Sequence, residues 1–85
     1  MTEAREIHPP LYQPISCALH DVYEIAILHR QRLRLVWSVG PVFYEDTVMP
    51  VDLETRQGEE FLIAHSPTRD ALKIRLDHIR QASPT

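Results

Sequence analysis

LHDVYEIAILHRQRLRLVWSVGP, residues 19–41, decides the fold, because its apolar spacing changes period partway along. In the first half Leu19, Val22, Ile25 and Ala26 recur at helical spacing and predict a helix over about 19–30 with one apolar face. His20, Asp21 and Glu24 gather on the other side, with Tyr23 on their flank. Ser16 stands where a capping residue would, and Arg30 lies where the negative end of the helix dipole favours a cation. After Gln31 the period falls to two. Leu33, Leu35, Trp37 and Val39 alternate with Arg32, Arg34, Val36 and Ser38, the pattern of a half-buried strand, and Gly40-Pro41 breaks it.

Downstream of that break the signals remain those of short strands. Residues 42–49 are rich in β-branched and aromatic side chains, and Pro50 is expected to end their regular pairing or place them on an edge. Residues 51–58 are polar and turn-like. Residues 61–64 are continuously apolar, as for a strand buried on both sides. A turn around Pro67 leads to a fourth strand, in which Leu72, Ile74 and Leu76 alternate with Lys73 and Arg75. His78–Ala82 supplies a fifth, and residues 83–85 are expected to fray.

Upstream, residues 1–14 form an extended arm, since Pro9, Pro10 and Pro14 each bias the preceding residue away from helix. Leu11, Tyr12 and Ile15 are apolar enough to pack onto the domain that occupies 15–85. The expected class is mainly β (α+β), an N-terminal helix followed by a five-stranded antiparallel Sm-like barrel. An OB-type barrel is the nearest rival, but it normally places its helix between strands.

Composition narrows the kind of protein. Eighty-five residues, 44% of them apolar, make one globular domain with little room for a deep substrate cleft. Twelve acids against nine Lys and Arg give a net charge of −3, which argues against indiscriminate binding to nucleic acid. A single cysteine, Cys17, points to a reducing, cytoplasmic setting. The longest apolar runs, 25–28 and 61–64, are too short to span a membrane.

Candidate chemistry is sparse. His8, His20, His29, His65 and His78 are scattered, and none has a second His or Cys at a metal-ligand spacing. No feature sets a base beside Cys17, and two glycines cannot make a phosphate-cradling loop. No cofactor, metal or catalytic residue is expected, and the protein reads as a binder, not an enzyme. Arg32 and Arg34 share one strand face, so with Trp37 they offer a stripe suited to single-stranded RNA. Pairing of those arginines with Glu45, Asp46 or Glu54 is the more ordinary use for them.

Tyr12-Gln13-Pro14-Ile15-Ser16-Cys17, followed by an acidic-faced helix, resembles the start of the Rho-binding antiterminator (Rof) family. Asp52-Leu53, Glu60-Phe61-Leu62-Ile63 and Ile74-Arg75-Leu76-Asp77-His78-Ile79 follow in that family's order, so the resemblance covers about 12–83. It implies an Sm-like fold and a bacterial protein that binds transcription termination factor Rho at its amino-terminal RNA-binding domain, keeps RNA from loading, and inhibits Rho-dependent termination. The implied contacts are Asp21 and Glu24, which match acidic helix positions, with His20 where the family has an aromatic and Ala18 and Leu19 where it has acids. Arg56 falls in a loop that is more basic in the family, and Tyr23 is the expected desolvated anchor beside the acids. A monomer that binds Rho, and neither RNA nor membrane, is therefore expected; the rival expectation is a single-stranded RNA-binding module.

Overall fold

The computed structural model describes residues 11–85. One helix, α1 (Cys17–His29), precedes five strands, β1 (Leu33–Val39), β2 (Val42–Arg56), β3 (Glu59–Ser66), β4 (Asp70–Arg75) and β5 (Ile79–Pro84). All pairings are antiparallel, in the order β4-β3-β2-β1-β5. The expected helix-then-five-strands class is the one observed. Of the expected arm, residues 1–10, with His8, Pro9 and Pro10, lie outside the described residues.

The edge strands β4 and β5 are consecutive in sequence, joined only by a single 3-10 turn, Leu76–His78. In a flat sheet four inter-strand spacings would separate them by roughly 19 Å. The four-residue step from Arg75 to Ile79 spans at most about 14 Å. The sheet therefore curls, bringing its two edges toward each other without pairing them among the described residues.

β2 makes the curl possible. Its first half, from Val42 to Val48, pairs with β1; its second, from Met49 to Arg56, pairs with β3. Near the start of that second half the register shifts between Pro50 and Asp52, so Val51 is the extra residue of a bulge beside Pro50. Pro50 was expected to end the regular pairing of 42–49 or place them on an edge, yet it is buried inside the strand and opposite Ala64. A proline lacks an N–H and is tolerated at a bulge, where the ladder is already interrupted. The supposed polar turn at 51–58 is thus mostly strand. Only Gln57-Gly58 turns, with φ of 53° and 80°, both central residues lying in the positive-φ region that a two-residue type I′ hairpin requires. A second bulge, opposite the Val36–Trp37 step, lies at Arg80 in β5.

Tyr23, Ala26, Leu33, Leu35, Trp37, Val48, Leu62, Ala64, Ile74 and Leu76 form one core. The alternation Leu33, Leu35, Trp37 faces inward as expected, while Val39 is 54% exposed at the hairpin tip, beyond the reach of that core. β3 is not buried on both faces. Leu62, Ala64 and Ser66 are buried, whereas Phe61 and Ile63 are half-buried and His65 is exposed. The Lys73 ammonium lies 4.9 Å from the Phe61 ring centroid and covers part of it.

The helix differs most from expectation. Ser16 caps it as foreseen, its Oγ accepting from the Leu19 N–H at 3.2 Å. Arg30 is the left-handed C-cap, φ 53°, not part of the last turn. The buried face, however, is Tyr23 and Ala26, with His20 and Ile27 at its margin; Leu19 and Ile25, expected inside, are exposed. Apolar residues occupy most of the circumference, so several rotations were compatible with the pattern. Tyr23, the largest side chain facing the sheet, settles it because burying an aromatic ring removes the most apolar area from water.

Candidate functional site

One flank of α1 and the adjoining end of the sheet carry a connected set of polar groups. His20 bridges two elements, its Nδ1 3.6 Å from Glu24 on α1 and its Nε2 3.4 Å from Glu60 on β3. Glu60 also accepts from the Tyr12 hydroxyl at 3.3 Å. The Tyr12 ring lies under Arg75, 5.6 Å from its guanidinium carbon. Arg75 in turn grips Asp77 through two bonds of 2.7 Å, and Asp77 accepts from the Gln13 N–H at 2.9 Å. The segment at Tyr12-Gln13 is thereby fastened to the β4–β5 junction. Burial of Tyr12, reinforced by the Glu60 carboxylate, pushes its hydroxyl up to about 12. For Asp77 burial acts upward, but the Arg75 bonds and the Gln13 N–H outweigh it and hold the carboxyl below the ordinary range.

The predicted partner residues separate on this surface. Asp21 and Glu24 are exposed on α1, and His20 is half-buried beside them. Tyr23 is not on the surface at all. It is 1% exposed, and burial pushes its hydroxyl up to about 12, so it is a core residue and no anchor for a partner. Its expected place rested on helix rotation, which the apolar pattern left undetermined. Arg56 lies at the end of β2, where it meets Glu54 at 3.8 Å and sits in register with Glu59. Since Thr55 pairs with Glu60, Arg56 is at the same end of the sheet as the His20–Glu60 bridge, but no bond joins it to Asp21 or Glu24 among the described residues.

The arginine stripe considered for RNA is arranged differently from its sequence promise. Arg34 is ion-paired with Glu45 across the β1–β2 ladder. Trp37 is 5% exposed and stacks on Tyr44, centroids 5.6 Å apart, with the Arg69 guanidinium over both rings at 5.7 and 5.5 Å. Trp37 therefore offers almost no ring face for a base to stack on.

Arg69 belongs to a cluster that sequence inspection did not single out. Asp46 accepts from Ser66 Oγ at 2.5 Å, Thr68 Oγ1 at 2.8 Å, Arg69 at 2.8 Å and the Thr47 N–H at 2.8 Å. The Ser66 and Thr68 hydroxyls first, then Arg69, overcome desolvation and lower its carboxyl to about 2. The Ser-Pro-Thr-Arg run at 66–69 was the available signal, since hydroxyls on a turn seek an acceptor. A shallow groove of about 410 Å³ beside the cluster is lined by Arg32, Thr47, Met49 and His65 among others. Among the described residues no group of three or more His, Cys, Asp or Glu is placed to hold a metal. None of the described helices is long and apolar enough to cross a membrane.

No family model matches the chain, that of the Rho-binding antiterminators included, and no curated protein matches it. Among solved structures the fold is similar to part of the proteasome accessory factor B/C (PafBC) of Arthrobacter aurescens, with a TM-score of 0.75 over 86% of this chain and 19% sequence identity. That likeness is one of fold. The chain spans about an eighth of the accessory factor's length, 12%.

Proposed function

We propose that this domain is a non-catalytic protein-binding module whose partner face is the acidic flank of α1. The carrying observation is that Asp21 and Glu24 stand exposed on one helix, braced from behind by the His20–Glu60 bridge, while most other acids near the sheet are engaged by arginine, lysine or hydroxyls. Carboxylates left exposed on a rigid element suit a basic partner surface. Exposed pairs contribute only ~0–1 kcal/mol each, so charge would orient the partner while apolar contact from the same helix supplies more of the affinity.

The sequence resemblance makes the partner specific: the amino-terminal RNA-binding domain of transcription termination factor Rho, with inhibition of Rho-dependent termination as the outcome. The loss of Tyr23 as an anchor moves the apolar part of that contact to Leu28, which is 77% exposed beside Glu24 and lines a groove with it, Ile27, Asp52 and Leu53. The test is co-purification with the host's Rho, followed by a termination assay. Wild type should bind and suppress termination, and Asp21→Lys with Glu24→Lys should do neither. Absence of binding by the wild type, or normal binding by the double reversal, rules Rho out.

A second reading is favoured by the fold likeness. A domain of this architecture occupies about an eighth of the accessory factor, so the same binding face would serve a regulatory module within a larger factor. Under that reading the isolated domain ignores Rho but retains a partner whose binding is lost on Glu24→Lys. RNA binding through Arg32, Arg34 and Trp37 has less support, given the closed Trp37 face and the engaged Arg34. A gel shift at low salt that vanishes in Arg34→Ala would restore it.

A further inference from the structure

α1 carries more apolar surface than the sheet covers. Tyr23 and Ala26 are buried, but Leu19, Ile25 and Leu28 stay 43%, 57% and 77% exposed. A helix apolar around most of its circumference is ordinarily enclosed on both sides. On the flank away from Glu24 the apolar stripe runs into a groove of about 180 Å³ lined by Val22, Ile25, Ala26, Gln31, Leu33 and Pro84. The uncovered surface is concave as well as apolar.

Charge along this helix is divided by sign. Asp21 and Glu24 lie in its N-terminal half, and Arg30 and Arg32 lie just beyond its C-terminal end. Asp21, Arg30 and Arg32 take part in no ion pair among the described residues. Asp21, Ile25 and His29 follow one another at four-residue intervals and share a face. A second helix laid antiparallel, with a two-fold axis at Ile25, sets Asp21 of each copy level with His29 of the other, so that each carboxylate faces an imidazole N–H donor. A parallel copy would set like charge against like, and would also align the two helix dipoles instead of opposing them.

We infer that the outward face of α1 binds a second copy of this chain, the two helices antiparallel about Ile25. Such an interface is isologous, each contact occurring twice. A helix of 13 residues is about 20 Å long, and a single helical stripe falls well short of the ~800 Å² per partner of a standard stable complex. The dimer is therefore weak and concentration-dependent, in place of the monomer expected from the sequence. The inference does not depend on the identity of the protein partner. It uses the flank of α1 opposite Glu24, with Asp21 on the border between the two.

Sedimentation velocity from about 1 μM to about 1 mM covers the relevant range of association. The expected result is a monomer that converts to dimer as concentration rises. Ile25→Glu, at an exposed position, should remain monomeric with its helical circular dichroism and melting temperature unchanged. Asp21→Lys and His29→Glu should each self-associate several-fold more weakly than wild type. Mixed in equal amounts they should recover wild-type association, because the introduced lysine then faces the introduced glutamate at one junction while Asp21 faces His29, as in the wild type, at the other. Glu24→Lys should leave the dimer intact while abolishing the binding described under the proposed function, which keeps the two ideas separable. A monomer throughout the range overturns the inference. So does a dimer indifferent to Ile25→Glu, a mixture no stronger than its components, or loss of the dimer in Glu24→Lys.

Discussion

Asp46 and Glu24 are both carboxylates close to the sheet, and the protein uses them in opposite ways. Asp46 accepts bonds from Ser66, Thr68, Arg69 and the Thr47 N–H, so the β3–β4 turn is tied to the first half of β2. Glu24 has one loose contact, His20 at 3.6 Å, and otherwise faces solvent. A saturated acid fixes local structure and has little left to offer a visitor. An unsaturated one contributes almost nothing to the fold and keeps its bonding capacity for something else. Residue type alone does not separate the two; the hydroxyl and guanidinium groups around each carboxylate do.

The comparison predicts a graded series of effects. The largest should come from neither acid but from the core they both border. Tyr23→Ala removes a fully buried aromatic and should cost about 3–5 kcal/mol, a large part of the stability of so small a domain, as read from urea unfolding. A loss under 1 kcal/mol would return Tyr23 to the surface and undo the helix rotation described above.

Asp46→Asn should cost about 1–2 kcal/mol, because it removes a charge-assisted bond to Arg69 and leaves hydroxyl donors without a carboxylate acceptor. The same residue gives the fold a pH dependence. Its folded carboxyl is depressed to about 2, below the ordinary value of 3.8, so the stability it contributes is fully present above about pH 4. That stability is lost as pH falls from about 4 toward 2. Wild type and Asp46→Asn should therefore converge in melting temperature as the solution is acidified through that window. Parallel curves would mean that Asp46 is not the titrating group.

At the small end, Asp21→Lys and Glu24→Lys should alter stability by no more than about 0.5 kcal/mol in either direction, because neither side chain is saturated by the fold. Their effect should appear only in binding. If either reversal unfolds the domain, the contrast with Asp46 collapses and the acidic flank is structural after all.

Much of this arrangement was legible in the sequence, and the reasons differ by region. The change of period after Gln31, with Leu33, Leu35 and Trp37 alternating against Arg32 and Arg34, located the helix, the first strand and the inward face of β1. Ser16 announced its cap. The rotation of α1 was hidden because leucine, isoleucine and valine on nearly every side make periodicity a poor compass. Pro50 concealed the length of β2, since sequence cannot distinguish a proline that ends a strand from one accommodated at a bulge. Asp21 and Glu24 were visible as an acidic helix face, and they are exposed. Tyr12 was legible as a residue that packs onto the domain and Arg75 as part of the fourth strand, but nothing in the sequence joined either to Glu60 or Asp77. Their joining needs contacts across 48 and 64 residues of chain, which no local pattern records.

The bend in β2 has a consequence for the order in which the chain assembles. β1–β2 and β2–β3 are hairpins closed by two-residue turns, so both begin as local contacts of the kind that form within microseconds. β5 must instead find β1 across the whole of the intervening chain, at a closure entropy the hairpins never meet. The three-stranded meander centred on β2 is the smallest unit here with a chance of persisting by itself, and β5 is the last strand added. Side chains trimmed in β2 should accordingly slow refolding, while those trimmed in β5 should chiefly hasten unfolding.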